Sequence, residues 1–581
     1  VARNGERQNG ERSTGEDPPD NEIAVDARSE EAASQTGETP TQAAAGDPES
    51  EEATAAVVAP VSRRWTRAEI IVLVLLTLVA GGLRLWNLAD PDTLVFDETY
   101  YAKDACWYAF SSESVCTIAD EQTKVHPPLG KWMISAGVKA FGNEALGWRI
   151  VPALAGIVSV PLLFALSRRL FRSLIAASLA AGLLAIDFLH LVQSRMSMLD
   201  IFVMFFGLAA FLCLVIDRDR LLEGSVRHGR ALARPWRAAA GALGGAATAS
   251  KWSGLFVIAA VFVLSLIWEA AARRERKVRD EDEARSVGFF KRLWTGLVER
   301  TVALFRAIVG EWSSLLLYLV LLPVLVYLVT YLGRLDGEPF FSLPWSEGSW
   351  GRALWARHAY MLDFHANLKA SHPYQSPGWS WILLKRPVSY FFCGGNACNP
   401  PDEPGRYQEI FASGSPFVWW STLLAMAWLA VAWLRRRDFR RPEGLILGAL
   451  IFTYGPWLVP FTDRSAVFLF YLLPVVPFMC LAVAYAAWRI GWRSWEAKSA
   501  IALYSAIALG FFVFYFPLLT KVSITESSWR ARIWIFDNCD KPPGDPTTSY
   551  ITGTDAEGNP SYTETEVSTT EDHPPTGWCW I

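Results

Sequence analysis

Runs of roughly 18 to 24 apolar residues recur along this chain, separated by polar or charged links. A helix rises about 1.5 Å per residue, so each run is long enough to cross a hydrocarbon core of about 30 Å. Lipid offers the backbone no hydrogen-bond partner, and such runs must satisfy their own N–H and C=O groups as helices. A soluble globular fold is excluded, and an all-α polytopic membrane protein is expected. The spans fall near residues 69–88, 146–167, 173–190, 198–216, 237–250, 253–270, 313–333, 416–434, 443–461, 465–488 and 499–519. The fifth is short and carries Gly241, Gly244 and Gly245, the small residues of closely packed membrane helices.

About eleven spans place the two ends of the chain on opposite sides of the membrane. Basic residues cluster in alternate links: Arg63, Arg64 and Arg67; Arg168, Arg169 and Arg172; Arg218 to Arg237; Arg273 to Arg306; Arg435 to Arg441; and Arg489, Arg493 and Lys498. The short links of the other set carry few, such as Lys251 and Arg464. The positive-inside rule then predicts a cytoplasmic N-terminus and an extracytoplasmic C-terminus. The net charge of -4 says little, because the charges are segregated. Residues 1–60 contain no aromatic, Leu or Met, and cannot bury enough apolar surface to offset ordering. Residues 1–64 are therefore expected as a disordered acidic cytoplasmic tail, 65–520 as the membrane domain and 521–581 as an extracytoplasmic tail. The first apolar run begins near Ile70, and no segment resembles a signal peptide.

Two long loops, 89–145 and 334–415, fall on the outer face. In the first, Asp97-Glu98 sits about ten residues past the first span, among Val95-Phe96 and Tyr100-Tyr101. An adjacent acid pair is most often a solvated loop feature. In an apolar, aromatic setting beside the bilayer it points to function, and a carboxylate there can act as a general base toward a hydroxyl. His126-Pro-Pro-Leu-Gly-Lys131-Trp132 suggests a short interfacial helix, with Lys131 either contacting a phosphate or snorkelling to headgroups. Arg149 opens the second span, and Arg195 lies in a short outer link just before Asp200. Arginine suits a phosphate because its planar fork donates paired hydrogen bonds. Headgroup contact, or pairing with Asp200, is the plainer alternative. His358, His365 and His372 in the second loop are spaced by seven residues, which fits no compact metal motif. Nothing in the chain calls for ATP or a dinucleotide, and a divalent ion at Asp97-Glu98 stays open but is not expected, because two adjacent acids alone make a poor site.

Cys213 and Cys480 lie in spans, whereas Cys106/Cys116, Cys393/Cys398 and Cys539/Cys579 fall on the outer side. Pairs on an oxidising face read as disulfides, though six cysteines allow fifteen connectivities and unpaired thiols stay open.

Taken together, six stretches resemble the bacterial, actinobacterial-type protein O-mannosyltransferases. They are Phe96-Asp-Glu-Thr-Tyr-Tyr101, His126-Pro-Pro-Leu-Gly-Lys131, Ser194-Arg-Met-Ser-Met-Leu-Asp200, Ser250-Lys-Trp-Ser-Gly254, Ser371-His-Pro-Tyr-Gln-Ser-Pro377 and Phe468-Leu-Phe-Tyr-Leu-Leu-Pro-Val-Val-Pro477. The resemblance implies the GT-C glycosyltransferase fold. It also implies inverting transfer of mannose from polyprenyl-phosphate-mannose to Ser/Thr hydroxyls of unfolded exported proteins, at the outer face of the cell membrane. The protein-export channel would then be a plausible partner. By the same resemblance Asp97 is the base, Glu98 orients Asp97 or the sugar, and Arg149 matches a functional arginine. Lys131 and Arg195, with His126, Asp200, His372 and Arg464, would serve the donor phosphate or substrate. Two alternatives stand beside this reading: another lipid-linked sugar moved to a lipid or cell-wall glycan, and a lipid or solute transporter. The transporter is disfavoured by the lack of an obvious inverted repeat and by few mid-membrane acids. The loop 334–415 is too short for the β-trefoil insert of eukaryotic members, and the 521–581 tail is longer and more polar than the family leads one to expect.

Overall fold

The computed structural model describes residues 64–118, 121–223, 233–281, 289–335, 350–368, 372, 374–395, 405–459, 466–533, 547–554 and 560–566. The segment expected as a disordered acidic tail lies almost wholly outside the described residues, as do Arg464, Cys398, Cys539 and Cys579. Each of the eleven apolar runs is helical. Among the described residues, eight helices are long and apolar enough to cross a membrane, or nine if one bent pair counts as a span. The other two runs form shorter helices, of 16 and 12 residues. By length alone the described residues therefore give eight or nine spans where about eleven were expected.

Local chemistry sets the ends of these helices. Arg67–Leu85 (α1) starts in a capping box: Thr66 Oγ1 accepts from the Glu69 N–H at 3.2 Å, and Glu69 Oε2 accepts from the Thr66 N–H at 2.8 Å. Its outer face exposes Ile71, Leu75 and Leu78, a surface for lipid. Glu98–Phe110 (α2) and Leu129–Phe141 (α3) follow in the first long loop, then Ala145–Phe171 (α4). Leu174–Ala185 (α5) and Phe188–Ser194 (α6) make the pair bent by 57°. Asp187 causes the break: its carboxylate accepts from the His190 N–H at 2.9 Å and starts a new helix. Asp200–Leu222 (α7) is buried over most of its circumference, as expected of a helix apolar all round.

Pro235–Ser250 (α8) packs closely on its neighbours, as its glycines predicted. A Cβ on Gly241 would run into the Tyr318 carbonyl, and one on Gly245 into the Pro323 backbone. That contact falls on a π-turn, Leu317–Leu321, just before Pro323. Proline has no N–H for the regular ladder, and the wider turn accommodates the loss. Gly254–Glu281 (α9) and Phe289–Leu316 (α10) complete this half.

The second long loop is structured. Trp350–Asn367 (α11) is followed by strands Val388–Gly395 (β1) and Arg406–Ala412 (β2), which pair antiparallel with Val388 opposite Ala412. After Pro416–Arg436 (α12), Pro442–Thr453 (α13), Val476–Ile490 (α14) and Trp495–Leu519 (α15), the chain returns to this layer. Ile524–Thr525 (β3) pairs with Arg406 and Tyr407, and Glu526–Ile533 (α16) buries Trp529, whose Nε1–H donates to Glu409 at 2.7 Å. The packed unit thus runs past the boundary expected at 520. The fold is helical as expected, with this three-stranded sheet and an antiparallel strand pair, Thr547–Thr554 with Pro560–Glu566, added. The segment Leu469–Ile490 is the innermost, 94% buried along its apolar window. Cys106 and Cys116 are joined, as expected, and Cys393 is also disulfide-bonded. Cys213 and Cys480 are buried free thiols.

Candidate active site

The two acids of the 97–98 pair have different surroundings. Glu98 is fully buried in the first turn of α2. Its Oε1 accepts from Arg149 Nε at 2.9 Å, Ser197 N at 2.9 Å and Ser197 Oγ at 3.2 Å. Its Oε2 accepts from Arg149 Nη2 at 2.8 Å and Val95 N at 3.2 Å. The carboxylate therefore joins the 88–98 loop, the start of α4 and the link before α7. Asp97 is half-buried and stands at the N-terminal boundary of α2 without capping it. Its Oδ2 accepts from Tyr101 OH at 3.4 Å.

Phe96 sets how Asp97 is presented. Its φ of 49° is left-handed, a strained conformation for a bulky residue. Ring packing holds it there: Tyr390 stacks at 4.6 Å, with Phe470 at 5.8 Å and His372 at 6.0 Å edge-on. Tyr390 sits where the β1–β2 register shifts, and its OH accepts from Gln193 Nε2 at 2.6 Å. Bulges of this kind re-aim a side chain. An aromatic roof from β1, His372 and the Phe468–Tyr471 stretch thus covers Phe96 beside the acid.

Within electrostatic reach of Asp97 is a residue for which the sequence suggested no role. Lys251, in the short link after α8, holds Asp200 at 2.8 and 3.0 Å and lies 4.2 Å from the centre of the Tyr471 ring. Asp97 and Asp200 both act electrostatically on this lysine and on Tyr101 and Tyr390. Two carboxylates, one ammonium and three tyrosines therefore form one electrostatically linked cluster. The signal was present in the sequence: Lys251 is an isolated cation in a short link between two apolar runs, as Arg195 and Arg464 are.

Arg149, Arg195 and Lys131, expected at the donor phosphate or substrate, are engaged elsewhere. All five N–H bonds of Arg149 are satisfied, by Glu98 and by the carbonyls of Leu88, Pro91 and Thr93. Arg195 is buried and donates to the carbonyls of Leu83, Arg84, Trp86 and Asn87, the open end of α1. Lys131 is buried with Asp104 at 2.9 Å, Glu121 at 2.6 Å and the Thr123 carbonyl. Glu121 also pairs with Arg357 of α11. Burial pushes Glu121 up, but Lys131 and Arg357 outweigh it and hold it at about 2. The assignment of Arg149, Arg195 and Lys131 to a leaving phosphate does not fit this geometry, because their donors hold the loop and helix ends together.

The histidines line the roof. His126 packs on Tyr101 and His365, while His358 and His365 of α11 pack on Trp252 beside Lys251. Burial pushes His372 down from 6.5 to about 4, so its ring is neutral where an exposed histidine is protonated. The unfolded chain then binds the extra proton between about pH 6.5 and 4, and stability falls as pH drops through that window. The melting temperature is expected to decline there in wild type, with His372→Gln removing part of the decline. Equal slopes in the two proteins would assign the decline to other groups.

Residues 74–333 match the family described as dolichyl-phosphate-mannose-protein mannosyltransferase, and residues 351–537 match the C-terminal four-helix membrane region of protein O-mannosyltransferase. The chain is 29% identical to a polyprenol-phosphate-mannose–protein mannosyltransferase of Mycolicibacterium smegmatis, over 82% of this chain and 93% of the relative. It is likewise 29% identical to one of Mycobacterium tuberculosis, over 81% and 91%. Among solved structures it is similar to the Saccharomyces cerevisiae protein O-mannosyltransferase Pmt1–Pmt2 complex bound to the sugar donor, with a TM-score of 0.62, 16% identity and coverage of 82% and 94%. That likeness carries the fold, the GT-C arrangement expected from the motifs.

Proposed function

We propose, for a chain that belongs to the dolichyl-phosphate-mannose-protein mannosyltransferase family, that it transfers mannose from polyprenyl-phosphate-mannose to Ser/Thr hydroxyls of exported polypeptides. The observation that carries the reading is the half-buried Asp97, within electrostatic reach of the Lys251–Asp200 pair and beside an aromatic roof. Asp97 accepts the proton of the acceptor hydroxyl. The hydroxyl oxygen bonds to the anomeric carbon as the bond to the phosphate oxygen breaks, with inversion. The lipid phosphate leaves with the electron pair, and Lys251 faces the charge that develops on it. Aromatic faces such as Tyr390 and Phe470 suit a sugar ring and keep water from competing. The reaction so written needs no resident metal or organic cofactor. In this reading the site lies on the extracytoplasmic face of the plasma membrane, with the N-terminus inside and the C-terminus outside. An unfolded acceptor is consistent with delivery from the export channel.

The test is transfer of labelled mannose from polyprenyl-phosphate-mannose to a Ser/Thr/Pro/Ala-rich peptide, with EDTA present. Wild type is expected to label the peptide. Well-folded protein that labels only lipid or glycan would overturn the acceptor assignment. Lys251→Gln is expected to lower kcat by on the order of a hundredfold, the scale for losing one charge-stabilising donor. Lys251→Arg restores part of it if charge at this position is what matters. A kcat unchanged in folded Lys251→Gln would remove the lysine from the mechanism.

A further inference from the structure

A cavity of about 90 Å³ lies where the C-terminal ends of α12 and α14 meet, walled by Trp428, Tyr485, Arg435, Arg436 and Arg489. A groove of about 310 Å³ shares Trp428 with it and runs between α12, α14 and α15 past Leu424, Ala425, Ala486 and Ile501. The first is cationic and the second apolar apart from Ser421 and Tyr504. Among the described residues no hydrogen bond or ion pair engages the three arginines, and Arg489 Nε is buried without a partner. Glu443, which meets this wall through Tyr485, is buried and accepts from Tyr485 OH at 2.9 Å. Arginines at helix C-termini complement the helix dipole. That role needs neither a cavity nor a buried guanidinium nitrogen aimed at nothing, and it does not explain an apolar groove opening from the same wall.

The site is remote from Asp97. The first residue of α12 lies just beyond β2, whose partner β1 supplies Tyr390 to the roof. The 21 residues of α12 then carry Arg435 and Arg436 about 30 Å away. We propose that these two cavities form one binding site for an anionic phospholipid of the opposite leaflet. The phosphate sits among Arg435, Arg436 and Arg489, where arginine forks match its oxygens. An acyl chain lies in the groove, which follows α12 for about 10 Å from Ser421 to Trp428. Charge complementarity selects the headgroup, and small side chains such as Ala425 and Ala486 make room for the chain.

The experiment compares melting temperatures of the full chain in phosphatidylcholine discs with and without phosphatidylglycerol, and counts retained lipids by native mass spectrometry. Wild type is expected to gain about 4 °C or more from phosphatidylglycerol and to retain an intact lipid. Combined Arg435→Gln, Arg436→Gln and Arg489→Gln abolishes both effects. Ala486→Trp fills the groove without touching a charge and weakens both, which keeps the test valid if the triple variant folds poorly. Equal lipid retention in wild type and Ala486→Trp, or an equal gain in wild type and the arginine variant, overturns the proposal. So does an equal gain from inorganic phosphate alone, which would make the site an anion site without a lipid. The readout is lipid binding, so it is independent of any result on mannose transfer.

Discussion

Replacing Asp97 with asparagine is expected to lower mannose transfer by about a hundredfold or more while leaving the melting temperature close to wild type. The size follows from removing a general base, whose contribution is typically 10²- to 10⁴-fold. The neutral effect on stability follows from position. Asp97 is half-buried, makes no cap to α2, and meets Tyr101 only at 3.4 Å. Asparagine keeps the shape and a hydrogen-bonding oxygen but cannot take a proton near neutral pH. The measurements are kcat with the polyprenyl donor and a thermal melt of the same preparation. Activity retained in a folded Asp97→Asn protein would keep the enzyme and remove its base. Asp200 would then be the acid to examine, since it is the other carboxylate at Lys251.

Much of the framework was readable because it depends on one local property. Apolar length predicts a membrane helix whatever its neighbours, and all eleven runs are helical. Local polar chemistry was readable in part. Thr66 with Glu69 is a capping signature, and Asp187 before Phe188 marks the break within one apolar run that was expected to be continuous. The sheet was missed because Tyr390 to Cys393 and Tyr407 to Phe411 are short aromatic stretches inside a long loop, and the third strand, β3, comes from far along the chain. The division of labour among the cations was not readable. Arg149, Arg195, Lys131 and Lys251 all look alike in sequence, as single positive charges near the outer face. For Arg149, Arg195 and Lys251 the choice between backbone carbonyls and an acid depends on contacts between residues 51 to 112 apart, whereas Lys131 closes on Asp104 and Glu121 of its own loop. Helix caps and phosphates both ask for a guanidinium, and only the fold decides between them.

Glu98→Gln is expected to behave in the opposite way to Asp97→Asn, although the two residues are adjacent. It leaves the Arg149 guanidinium buried without its counter-charge, a change that typically costs about 3–5 kcal/mol. A domain with a total stability of about 5–15 kcal/mol then loses much of its margin. The expected result is a sharp drop in melting temperature and in recoverable folded protein, with the activity lost per cell exceeding the activity lost per folded molecule. Arg149→Met should be as damaging, since Glu98 would keep its charge and the carbonyls of Leu88, Pro91 and Thr93 would lose their donors. Replacing both residues by methionine is not expected to rescue the fold, as it can for an isolated buried pair. The three carbonyls and the N–H groups of Val95 and Ser197 would still be left unsatisfied. A double-mutant cycle separates the two parts, because the direct charge pair appears as the coupling energy and the backbone contacts as the remainder. Glu98→Gln that melts with wild type and loses only kcat would reverse the assignment and make Glu98, not Asp97 alone, part of the chemistry.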